Sequence, residues 1–194
     1  MRKIVTQEER KKKDRRNKII IGTVLVGIMI LSTAGYAFFS GERENGSSEK
    51  ITYNSIEFVR DESGAWVFEL QGAQFYTQYT PQETENVSSL ILRSPGDYSG
   101  QPLFFLGQSG ARREIEYNLR NIVARSQEGC IPGYEKRCGN ETPIKNCSTE
   151  NIIIIEESNN TKITQEENCI FIEGPYWDQS RAGDAFIFKL LGIQ

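Results

Sequence analysis

From Ile19 to Phe39 the chain runs for 21 residues without one charged side chain, IIIGTVLVGIMILSTAGYAFF. A helix of that length, rising about 1.5 Å per residue, spans roughly 30 Å, the thickness of a bilayer's hydrocarbon core. Eleven of the 21 are Ile, Leu, Val or Phe, each favouring insertion by roughly 0.3–0.6 kcal/mol near the bilayer centre. Gly22, Gly27 and Gly35 are tolerated because a membrane helix satisfies its own backbone hydrogen bonds. Tyr36, Phe38 and Phe39 stand where an interfacial aromatic belt belongs, and Lys11, Lys12, Lys13, Arg15, Arg16 and Lys18 press on the other end. The positive-inside rule then puts the N-terminus in the cytoplasm and everything after Phe39 outside.

Other readings of the segment fit less well. Gly35 and Ala37 suit a signal-peptide cut, but the apolar run exceeds the usual 7–15 residues of such peptides. Arg15-Arg16 fits a twin-arginine signal poorly because Lys18 falls where an apolar residue is wanted. A pilin-type start lacks a Gly or Ala before Ile19 and a Glu near the head of the helix. Gly22 and Gly27 are five apart, so the Gly-x-x-x-Gly pairing motif is absent.

Charge divides the same way. Residues 1–18 carry nine Lys or Arg and three acids, whereas residues 40–194 carry 14 basic and 23 acidic side chains. An acidic outer region excludes nucleic acid as a partner, since phosphates demand a basic footprint. The lipid bilayer, through residues 19–39, and a protein partner are the expected contacts.

All four cysteines, Cys130, Cys138, Cys147 and Cys169, follow the apolar segment. An even number on the non-cytoplasmic side reads as two disulfides, with three connectivities open. Local pairing, Cys130–Cys138 and Cys147–Cys169, is favoured because Pro132-Gly133 and Asn159-Asn160 let the chain turn back. A four-thiolate zinc site is the rival, but its usual Cys-x2–4-Cys pairs are missing: the gaps are seven, eight and 21 residues. Asn-x-Ser/Thr occurs at Asn45, Asn86, Asn140, Asn146 and Asn159. All five lie on the outer side, as glycosylation acceptors should.

Residues 40–50 form a polar stalk, and residues 51–194 form one domain of α+β class. Tyr53, Ile56 and Phe58, then Trp66, Phe68 and Leu70, then FYTQYT at 75–80 predict a three-strand meander turning at Asp61–Gly64 and Gln71-Gly72. Pro81–Gln101 reads as irregular. Leu103–Leu106, Ile152–Ile155 and Cys169–Ile172 are uninterrupted apolar runs, the pattern of strands covered on both faces. Ser109 caps a helix expected over 111–125, with Arg112–Glu116 and Glu116–Arg120 pairs on its solvent side. Asp178 or Ser180 caps a last helix, and Gly192 sits where its C-terminal cap belongs. The sum is one mixed sheet with two packed helices.

Chemistry is bounded most firmly by histidine, of which there is none. Ser-His-Asp and Cys-His nucleophiles, and His-bearing zinc or haem sites, are therefore excluded. No phosphate-cradling glycine motif occurs. Glu156 and Glu157 follow a strand, but neighbours on a strand point to opposite faces and do not flank one bond. Tyr176 and Trp177 are the candidate binding surface, able to stack on sugars or anchor a protein. Against that, Trp177 could staple the last helix to the core, as Trp66 belongs to the core by its strand phase.

The basic tail with one anchor, the aromatic meander ITYNSIEFV, WVFEL and FYTQYT, the segments NCST and NCIFIEG, and the closing GDAFIFKLLGI resemble uncharacterised single-pass membrane proteins of archaea. The resemblance covers most of the outer domain and implies no catalytic residues or cofactors. The expectation is a membrane-anchored, non-enzymatic interaction or envelope-associated protein. A cell-surface module for glycans or small ligands, and a carboxylate-based hydrolase, are the rivals.

Overall fold

Two-residue turns at Asn54-Ser55 and Gln71-Gly72 organise the first half of the folded domain. Both residues of each turn have positive φ, the hairpin geometry that matches the right-handed twist of the strands. The turns join β1 (Lys50–Tyr53) to β2 (Ile56–Arg60) and β3 (Trp66–Leu70) to β4 (Ala73–Thr77). Between β2 and β3 the Asp61 carboxylate accepts from the N–H groups of Ser63 and Ala65, both at 2.9 Å. The result is an antiparallel sheet in the order β1-β2-β3-β4. It has four strands rather than three, because the run from Tyr53 to Phe58 folds back on itself at Asn54-Ser55.

The computed structural model describes Lys18, residues 20–25 and 28–29, and residues 49–194. The chain divides into units Met1–Ser47 and Ser48–Gln194. In the first unit Lys18, 20–25 and 28–29 are helical, and Ile20, Ile21, Val24, Leu25 and Ile28 are exposed. Most of the expected anchor, the basic tail apart from Lys18, the stalk up to Ser48, and Asn45 lie outside the described residues. Among the described residues no helix is long and apolar enough to cross a membrane.

The second unit is α+β, with two sheets instead of the single one expected. The second sheet is mixed, in the order β5-β9-β10-β8-β6-β7. Its middle is parallel: β8 (Asn151–Glu157) lies between β6 (Pro102–Leu106) and β10 (Cys169–Gly174), with Ile152 opposite both Phe104 and Cys169. Around this middle, β9 (Lys162–Glu166) is antiparallel to β10, β5 (Ser88–Leu90) is parallel to β9, and β7 (Arg125–Glu128) is parallel to β6. The apolar runs are covered on both faces, as their continuity predicts. On one side Ile115, Leu119, Phe186 and Ile187 pack on Phe105, Ile153, Ile155 and Ile170. On the other, Phe104, Ile152 and Ile154 lie under Ile131, Tyr134 and the cysteines.

The helices over the first face are α2 (Gly110–Leu119) and α3 (Gln179–Leu190); a short α1 (Pro81–Thr84) sits in the stretch read as irregular. Ser109 Oγ accepts from the Arg112 N–H, capping α2. This helix ends six residues before the expected Arg125. The Gly100 N–H takes the Ile122 carbonyl and the Gln101 carbonyl takes the Ala124 N–H, both at 2.9 Å, so residues 120–124 lead into β7 instead. Ile122 and Val123 still meet the core, from loop backbone. At the end of α3, Gly192 has φ +70, its N–H reaches the Lys189 carbonyl, and the Ile193 N–H reaches Phe188. That double bond pattern is a Schellman cap. Where α2 and α3 cross, Gly183 leaves no room for a side chain: a Cβ there would lie 2.9 Å from the Ala111 Cβ.

The first sheet meets this layer through aromatic rings. Phe58, Phe68 and Phe75 gather around Phe188, with centroids 4.6–6.0 Å apart. Asn118 completes the edge of β4, its Oδ1 accepting from the Tyr76 N–H at 2.8 Å and its Nδ2 donating to the Tyr76 carbonyl at 2.7 Å. A side-chain amide thus stands where a further strand would bond.

Candidate functional site

Among the described residues the two disulfides are Cys130–Cys138 and Cys147–Cys169, and no cysteine is free. This local pairing also removes the thiolates a zinc site would need. Cys169 opens β10 and is fully buried; Cys147 ties the preceding loop to it. The loop 130–147 is thereby held against the face of the sheet opposite the helices. Its Lys145 ammonium lies 4.3 Å from the Phe104 ring centroid.

Charged side chains gather at the rim of that loop. In the register Glu156 on β8 stands beside Glu173 on β10. Each acid has its own cation, Arg137 at 3.3 Å from Glu156 and Lys162 at 3.0 Å from Glu173. The Glu156 carboxylate, chiefly, raises the pKa of the neighbouring Tyr134 phenol. Glu157 is exposed, away from the half-buried Glu156. Each of Glu156 and Glu173 is thus paired with a cation of its own and not with the other acid.

A second pair of acids, Glu114 on α2 and Asp184 on α3, escaped the sequence reading because 70 residues separate them and neither stands in a motif. Asp184 is fully buried, and its Oδ2 accepts from the backbone N–H groups of Gln78 and Tyr79 at 2.8 and 2.9 Å. Burial pushes Glu114 up to about 7, with Asp184, Ser180, Arg113 and Gln78 drawing it back. Burial, then the neighbouring Glu114 charge, holds Asp184 well above the usual carboxylate range. Raised acids are a mark of catalytic pairs. Here the oxygens are enclosed: both Glu114 oxygens and Asp184 Oδ1 are shut off from solvent, so a substrate has no approach to them.

Tyr176 and Trp177 are 71% and 77% exposed. Trp177 therefore does not staple the last helix, whereas Trp66, at 5%, is in the core. The difference arises at Asp178. Instead of capping α3 with its side chain, Asp178 forms a bidentate pair with Arg181, at 2.7 and 2.8 Å, and accepts from Thr161 Oγ1. These bonds fix the turn at 175–178 and leave the aromatic side chains outward. The Arg181 hydrogen bond, chiefly, lowers the Asp178 pKa.

No family model, curated protein or solved structure matches the chain.

The sequon residues Asn86, Asn140, Asn146 and Asn159 are all exposed. Asn146 and Ser148 share an Asx turn, with the Ser148 N–H and Oγ both 3.0 Å from Asn146 Oδ1. An open groove of about 760 Å³ lies in front of Trp66, lined also by Arg60, Gln78, Tyr79 and Glu83.

Proposed function

We propose that the chain is a single-pass, membrane-anchored, non-enzymatic protein whose outer domain binds a protein partner through Tyr176 and Trp177. The observation that carries this reading is the exposure of both aromatic side chains on a turn fixed by Asp178, Arg181 and Thr161. Rigidly held Tyr and Trp supply large contact area at small entropy cost, and such residues dominate interface energetics.

Several features support the anchor and the topology. The uncharged run 19–39 follows a basic segment, and the likeness to archaeal single-pass proteins points the same way. Apolar helical side chains such as Ile20, Val24 and Ile28 are exposed, which suits lipid better than water. Two disulfides fit an oxidising compartment, and four outward-facing sequon asparagines suit an outer domain.

The test is a photo-crosslinking residue placed at position 177 in the full chain in native membranes. The expected result is one stoichiometric adduct that Tyr176→Ala abolishes. The same surface favours a second reading, a glycan module, because a flat exposed indole stacks on sugar rings. Absence of any adduct, together with a Trp177 fluorescence change on titration with sugars, would establish that reading instead. Silence in both experiments would remove Tyr176 and Trp177 as a site.

A further inference from the structure

The enclosed acids Glu114 and Asp184 present four carboxylate oxygens. One of them, Asp184 Oδ2, receives the Gln78 and Tyr79 N–H groups. The other three are buried and accept no well-formed hydrogen bond, although Ser180 and Gln78 lie near enough to Glu114 to favour its ionised form. Two ionised carboxylates side by side in such a place would each lack solvation and repel the other. One proton between them relieves both defects, supplying a donor for an orphaned oxygen and removing one charge.

We infer that Glu114 and Asp184 share a proton and form a pH-sensitive latch that holds the Gln78–Tyr79 segment against the helix layer. The segment is the exit of β4, so the latch joins the four-stranded sheet to α2 and α3. It also floors the groove in front of Trp66, since Gln78 and Tyr79 both line it. When the proton leaves, the acids separate, Asp184 is displaced from the two amides, and the groove loses its floor.

The surroundings decide the sign. Arg113, on the helix of Glu114, is the charged neighbour and favours ionisation. From α3 the facing group is Ser180, and from the β4 exit it is Gln78; both are neutral. Burial outweighs all three, so the closed form keeps a proton that the open form releases above the ordinary carboxylate range. Closure is therefore fully favoured below about pH 4.5 and weakens as pH rises through about 7. Each proton that the closed pair keeps and the open pair releases makes the opening constant grow up to about tenfold per pH unit within that window.

Amide variants separate a titrating latch from a merely structural contact. Glu114→Gln supplies a permanent N–H donor to Asp184 Oδ1. Asp184→Asn keeps an oxygen for the Gln78 and Tyr79 amides and turns a donor toward Glu114. The experiment is hydrogen exchange of the full chain in detergent micelles from pH 5 to 8, corrected for intrinsic rates. It compares peptides covering 76–80 with those covering β6. In the native sequence protection of 76–80 should fall by at least tenfold between pH 5 and 7, with β6 unchanged. Both amide variants should hold that protection level across the range. A flat native profile, or amide variants that track the native one, would overturn the latch. Should one variant fail to fold, the other still decides.

Discussion

At the residue scale, the proposed binding surface and the stability of the fold meet at Asp178. Its carboxylate joins Arg181 on α3 to Thr161 before β9, and so fixes the turn that presents Tyr176 and Trp177. Asp178→Ala strands a half-buried guanidinium and a hydroxyl. Denaturant unfolding should show a loss of about 2–3 kcal/mol, the usual cost of breaking such a pair from one side. Asp178→Asn should lose less, and its shortfall should vanish in acid. Because the folded pKa is depressed, the ion pair stabilises above the ordinary Asp value and is lost as pH falls below it. A shortfall of the same size at pH 2.5 and pH 7 would show that charge contributes nothing there. The same Thr161 is the hydroxyl of the Asn159 sequon, and Ser148 is that of the Asn146 sequon. Both hydroxyls are engaged in the folded domain, so modification of these asparagines must precede closure of the turns. In a glycosylating host, deglycosylation should shift the apparent mass in steps that single Asn→Gln changes remove one by one. Occupancy at Asn140 but not at Asn159 would mean that the 158–161 turn forms first.

At the element scale, the crossing of α2 and α3 is set by two small residues. A methyl group at Gly183 would press on Ala111, 2.9 Å from its Cβ and 3.1 Å from its Cα. Gly183→Ala should therefore destabilise by roughly 1–3 kcal/mol despite the better helix propensity of Ala. Ala111→Gly in the same chain should recover part of that loss in thermal unfolding, and no recovery would place the strain elsewhere. The elements themselves were legible to different depths. Ile152–Ile155 and Cys169–Ile172 announce buried strands by composition alone, and Ser109 and Gly192 mark helix ends by local chemistry. Arg125–Glu128 has neither apolar content nor alternation; it is a strand because β6 lends it hydrogen bonds. The Glu114–Asp184 pair was invisible for a related reason. Its chemistry comes from burial between two helices, and nothing in either helix's own sequence distinguishes these acids from solvated ones. Tyr176 and Trp177 stood out as aromatic residues, but whether they faced in or out depended on the Asp178 pair.

At the scale of the whole molecule, the folded domain has layers held by different means. The helices and the four-stranded sheet are held by apolar burial, and the loop 130–147 by covalent bonds. Closing loops of these two lengths lowers unfolded-state entropy by similar amounts, about 3 kcal/mol each. The consequences of breaking them should nevertheless differ, because the two bridges hold different things. Cys130–Cys138, eight residues apart, closes a flap at the edge of the sheet. Cys147–Cys169 spans 22 residues and secures the loop to β10, beside the central strand, through a fully buried sulfur. Cys130→Ser with Cys138→Ser should cost about 3 kcal/mol and leave β8 and β10 protected from hydrogen exchange. Cys147→Ser with Cys169→Ser buries a hydroxyl under Phe104 and Ile152 and frees the cover of that face. Its cost should exceed 3 kcal/mol, with exchange rising along Ile152–Ile154 and Cys169–Ile172 together. Equal costs, or exchange confined to the loop, would show that the helix-side core alone sustains the mixed sheet and that the stapled loop is an attachment.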